Sequence, residues 1–196
     1  MSTTRLETFA DGVFAIAATL LILNVDGAKG SLTSIWPSYV AYAVSFLTIG
    51  IIWVNHHTVM NQFDRVDRRF LFFNVVLLMC VAFVPFPTRL IAEHVRGGGL
   101  EGPALVYGAT MTTMATTYLG LWLYGVRRLL RADADPRTIR GITRSYLPGM
   151  WIYLASTLLA LASPRASVAC FGLIALFYVV ESSLFGGRSP SSTISG

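Results

Sequence analysis

Arg5, Glu7 and Asp11 run without an intervening loop into an apolar stretch, RLETFADGVFAIAATLLILNV, that ends at Val25. A guanidinium and two carboxylates in that setting suit two kinds of chemistry. They can hold a helix in place through charge-assisted hydrogen bonds, or they can hand protons along a polar path. A second group has the types to join either. Trp53 and His57 lie at i and i+4 in IIWVNHHTVMNQ, with Asn61 a turn further on, offering an indole N–H, an imidazole and an amide. Glu181 is a third acid inside an apolar segment.

The elements that must position these groups are membrane helices. Of the 196 residues, 54% are hydrophobic and 13% charged, whereas a soluble domain carries about 25% charged residues. Uncharged windows run from Gly30 to Phe63, Phe70 to Thr88, Gly102 to Val126, Ser145 to Pro164 and Ala166 to Val180. Most match the roughly 20 residues that a helix needs to cross a bilayer. Gly12 to Val25 is too short unless the first helix starts near Arg5, which places Arg5, Glu7 and Asp11 within or at the edge of the membrane. Charge at that depth faces a protein interior or a watery path. The same two acids argue against reading Arg5 and the AIA of Ala15 to Ala17 as a secretory signal.

The expected fold is therefore an all-α membrane protein of six transmembrane helices, at about 5–25, 36–60, 69–91, 103–127, 145–163 and 166–187. The six-helix transmembrane domain would cover 1–188 and a disordered tail 189–196. With six spans, one side holds Arg5, Arg65, Arg68, Arg69, Arg127, Arg128, Arg131, Arg137, Arg140, Arg144 and Arg188; the other holds Lys29, Arg89, Arg96 and Arg165. Eleven against four puts both termini in the cytoplasm. That bias also accounts for the net charge of +5 and requires no nucleic acid. The lack of a targeting motif points to a prokaryotic inner membrane.

Other features are structural. Cys80 and Cys170 fall mid-helix as small apolar residues. Adjacent His56 and His57 diverge by about 100° on a helix, a poor metal geometry. Thr110, Thr113 and Thr117, with Gly108 and Gly120, suit close helix packing. RRLLRADADPRTIRGITR (Arg127 to Arg144) reads as a basic surface segment near anionic headgroups. No nucleophile and base, or metal cluster, come together as an intramembrane enzyme requires.

On the first helix Arg5, Phe9, Gly12, Ile16, Thr19, Leu20 and Leu23 share one stripe, and Glu7 and Asp11 point the other way. RLETFADGVFAIAATLLIL resembles the N-terminal signature of the lysosomal/endosomal transmembrane potassium channel family. That signature is an Arg, three residues, Phe-Ser-Asp, then a helix reading Ala-Ile-x-x-Thr-Leu. Arg5, Phe9, Asp11, Ala15, Ile16, Thr19 and Leu20 match, Ala10 replaces the serine, and WVNHH with Trp53 and His57 is similar to the family's second helix.

The resemblance implies a homotetramer whose first helix lines a central cation pathway, with no cofactor and no selectivity-filter loop. Ile16, Leu20 and Leu23 would form apolar rings that gate by dewetting. Thr19 would supply hydroxyls to a transient K+, and Arg5, Phe9, Asp11, Trp53 and His57 a structural network. The partners implied are K+, other monovalent cations and the lipid bilayer. The competing reading is a proton-coupled secondary transporter using Asp11 and His57, with Glu181 in the relay.

Overall fold

The structure, a computed structural model, describes residues 3–25 and 32–185, with side-chain environments for 3–25 and 36–180. Lys29, the Glu181 side chain, Arg188 and the tail 189–196 lie outside the described residues.

The described chain is helical: α1 Thr3–Leu20, α2 Leu32–Met60, α3 Arg68–Phe83, α4 Pro85–His94, α5 Glu101–Arg128, α6 Pro136–Leu158 and α7 Pro164–Phe185. Tight 3-10 turns, Leu21–Asn24 and Leu159–Leu161, extend α1 and α6. Helices α3 and α4 form one segment broken at Val84, so the described residues make six helical segments. Thr3–Asn24, Trp36–Met60 and Arg68–His94 are long and apolar enough to cross a membrane, and Pro164–Val180 is a shorter apolar helix.

The break has a local cause. Pro85 and Pro87 lack the N–H groups that would reach Val81 and Phe83. The Val81 carbonyl instead accepts from Val84 N at 3.2 Å. Asn24 at the end of α1 donates from Nδ2 to Pro85 O at 2.8 Å, tying that end to the start of α4. The Ser45 and Thr88 hydroxyls, 2.8 Å apart, tie α2 to the same turn.

Helix α5 runs through the centre of the bundle, 28 residues or about 42 Å long. Its Tyr107, Met111, Met114, Tyr118, Leu121 and Trp122 are buried at helical spacing. Trp122 is fully enclosed, and its indole N–H reaches Thr143 Oγ1 on α6 at 2.9 Å, so its one polar atom is satisfied. Gly108 admits Thr157 of α6 so closely that an added Cβ would lie 2.6 Å from Thr157 Oγ1. The interhelical hydroxyl bond here comes from Thr112, 2.9 Å from Thr157 Oγ1. Thr110 instead donates to Val106 O within its own helix.

The connections 61–67 and 129–135 meet at one end of the bundle. Phe63 and Leu130 form an isolated antiparallel bridge, and Arg131 N donates to Gln62 O at 3.1 Å. Asp135 caps α6, accepting from the N–H groups of Arg137 and Thr138, with Pro136 at the first helical position. Helix α6 therefore begins well before the uncharged stretch at Ser145 and carries Arg137, Arg140 and Arg144 on its first turns.

Candidate pore helix and its supports

Helix α1 buries one face and leaves another bare. Leu6, Ala10, Phe14, Ala17 and Leu21, spaced four, four, three and four apart, are each under 8% exposed and pack toward α2 and α3. The small Ala10 and Ala17 let α1 lie close to its neighbours. On the other side Phe9 is 60% exposed, Ile16 62%, Leu20 42% and Leu23 75%. Arg5, Gly12 and Thr19 are exposed as well. Nothing among the described residues covers this stripe.

The Thr19 hydroxyl donates to Ile16 O at 2.9 Å. Its hydrogen is thereby turned back onto the helix, and the oxygen lone pairs remain to accept from water or contact a cation.

Asp11 sits at the flank between the two faces. Trp53 Nε1 donates to Asp11 Oδ1 at 2.8 Å, and both side chains are exposed in the subunit. This bond crosses from α2 to α1. Among the described residues the ion pairs are Arg89 with Glu93, and Arg131 with Asp64 and Asp133. None of them joins Arg5, Glu7 or Asp11. His57 and Asn61 are exposed near the end of α2.

The histidine drawn into the protein is the neighbouring His56, 2% exposed. Its Nε2 lies 2.7 Å from Asn74 Oδ1 on α3, and its ring packs 5.5 Å from that of Phe14 on α1. A carbonyl oxygen only accepts, so the imidazole carries its proton on Nε2. Asn74 is fully buried, and its Nδ2 has no partner among the described residues. The sequence pattern alone does not join these two residues. A signal for it existed: Asn74 is the one amide in the uncharged window Phe70 to Thr88.

Six helical spans, a first helix with one bare apolar stripe, and a charged clasp at that helix's flank define an all-α membrane protein of channel-like architecture. Residues 5–85 match the family described as endosomal/lysosomal potassium channel TMEM175. A protein named a potassium channel from Streptomyces collinus is 42% identical over 185 residues, 89% of this chain and 90% of that one. One so named from Chamaesiphon minutus is 38% identical over 92% of this chain and 95% of its own.

The crystal structure of a lysosomal potassium-selective channel TMEM175 homolog from Chamaesiphon minutus superposes with a TM-score of 0.82 at 36% identity. It covers 92% of this chain and 97% of that one. The zebrafish (Danio rerio) endosomal/lysosomal proton channel TMEM175 is 31% identical over 63% of this chain, which spans 27% of that protein. The chain belongs to the TMEM175 family.

Proposed function

We propose that this protein is a potassium-permeable cation channel that conducts passively through a homotetrameric pore lined by α1. The observation that carries the reading is the bare stripe on α1. Four copies turning Ile16, Leu20 and Leu23 toward a common axis would bury a surface that the described part of one subunit leaves open. Full-length relatives named potassium channels support the ion assignment.

In this arrangement Ile16, Leu20 and Leu23 stack as apolar rings about 4.5 to 6 Å apart along the helix. A narrow apolar ring sheds water, and an ion that cannot keep its hydration shell is stopped there. Thr19, between Ile16 and Leu20, offers four outward oxygens that replace part of the shell and favour the more easily dehydrated K+. Asp11 and Trp53 hold α1 in rotational register, and Arg5, Phe9 and His57 complete the support at its first turns. Both termini and the connections 61–67 and 129–135 face the cytoplasm, with residues 1–188 forming the channel domain in a cell membrane.

A proton-coupled transporter would join Asp11 to His57. Asp11 is bonded instead to an indole that does not titrate, which supports the passive reading. The test is flux and reversal potential in reconstituted liposomes under opposed K+ and Na+ gradients, with Ile16→Ala and Thr19→Ala beside the wild type. A passive K+-biased flux, larger in Ile16→Ala and less selective in Thr19→Ala, is expected. Flux that requires a proton gradient and vanishes in Asp11→Asn would overturn the reading.

A further inference from the structure

A cleft of about 560 Å³ opens where the end of α5 meets the connection into α3, lined by Arg65, Val66, Asp67, Arg68, Arg69, Tyr124, Arg128 and Leu129. Four arginines and one aspartate leave it three charges positive. Among the described residues no ion pair joins any of the four guanidiniums to a carboxylate. Asp67 is already committed: Oδ1 accepts from Phe70 N at 2.9 Å and Oδ2 from the Tyr124 hydroxyl. The Tyr124 hydroxyl first, then the Phe70 N–H, hold its carboxyl below the usual range, so it stays a fixed anion on the cleft wall.

The surroundings state what kind of anion fits. The cleft sits at the start of Arg68–His94, a stretch long and apolar enough to cross a membrane. Directly beyond the arginines, Phe72 is 72% and Phe73 37% exposed, and the Phe73 ring lies 6.0 Å from that of Tyr124. Guanidinium forks match the oxygens of a phosphate in bidentate pairs. A phosphate carried on acyl chains would seat its charge among the arginines and lay its chains along Phe72 and Phe73. Free phosphate would leave that aromatic surface uncovered.

We propose that this cleft is a binding site for the phosphate headgroup of an anionic phospholipid, clamped between the connection into α3 and the end of α5. The site joins the segment that follows α2 to the central helix α5. Its occupancy therefore braces the end of the bundle where Phe63 and Leu130 meet.

The test is thermal unfolding of the purified full chain in neutral detergent, titrated with dioctanoyl phosphatidylglycerol, dioctanoyl phosphatidylcholine or inorganic phosphate. The pair Arg68→Gln with Arg128→Gln removes charge from both walls of the cleft. Arg137→Gln with Arg140→Gln removes the same charge from the start of α6, outside it. Arg65→Gln with Arg69→Gln serves if the first pair does not fold. Saturable stabilisation by phosphatidylglycerol alone is expected, with its half-saturation raised roughly thirtyfold in the cleft pair, the weight of two arginines near an anionic surface. The outer pair should change it less than threefold. Equal losses in both pairs would reduce the effect to diffuse surface charge, and an equal response to inorganic phosphate would make the occupant a free anion. Either result, or no saturable response, overturns the proposal.

Discussion

Replacing His56 and Asn74 singly and together tests whether their bond holds α2 to α3 in the interior. His56→Phe keeps an aromatic ring against Phe14 but strands both polar ends of a fully buried amide, whose Nδ2 already lacks a partner. A buried polar group deprived of its bond costs about 1–3 kcal/mol, so a loss of about 2 kcal/mol is expected. Asn74→Leu strands only the imidazole N–H and removes the unmet Nδ2, so about 1 kcal/mol is the expected loss. The double variant replaces two joined polar groups with two apolar ones and should fall no further than either single change. For a chain of this size, 1 kcal/mol moves a melting midpoint by about 2–4 °C. Thermal unfolding in detergent micelles would show drops of about 4–8 °C, 2–4 °C and less than 4 °C respectively. A double variant falling by the sum of the single drops would refute the argument, because independent sites add and joined ones do not.

Gly125→Ala should cost about 1–3 kcal/mol through overpacking, since the new Cβ would sit 2.8 Å from Phe63 Cε1 and Phe63 is locked edge-on against Phe70. A lowered midpoint regained by Phe63→Leu in the same chain checks it. The hydrogen bonds that Arg137 N–H first, and then the Thr138 hydroxyl, make to Asp135 depress its pKa. The cap is thus fully present above the unfolded value of about 3.9 and is lost as pH falls through the lower folded value. Amide exchange at Arg137 and Thr138 should show protection held at about pH 5 and lost in that acid window, with Asp135→Asn flat across it. Trp53→Phe should lower stability by about 0.5–1.5 kcal/mol, the range for one hydrogen bond, because both partners are exposed. Asp11→Asn keeps an acceptor for the indole and should lose less, as unfolding of both variants will show.

Much of α1 was legible because its signal is local. Arg5, Glu7 and Asp11 cannot sit in a helix facing lipid on all sides, and Trp53 is one of the donors on the second helix suited to a flanking carboxylate. The choice between His56 and His57 was not legible in the same way. The two are adjacent, and only Asn74, on a different helix, decides which one turns inward. The break at Val84 lay open in Pro85 and Pro87, yet apolarity continues across it, so hydropathy reads a single span where the backbone makes two helices. Thr112 rather than its neighbours bonds Thr157 because Gly108 sets the approach of α6, and a distance between helices is not written in either one. The cleft of Arg65, Arg68, Arg69 and Arg128 appears in sequence only as inside-positive charge. Its concavity arises from the meeting of two connections.

That α1 lines the pore is tested by cysteine modification in a Cys80→Ala, Cys170→Ala chain. Leu23 on α1 and Leu173 on α7 are 75% and 64% exposed in the subunit, so exposure alone does not separate them. A cationic thiol reagent should block K+ flux through liposomes bearing Leu23→Cys and leave Leu173→Cys conducting. Flux unchanged at Leu23→Cys after verified modification, or block at Leu173→Cys instead, would contradict it.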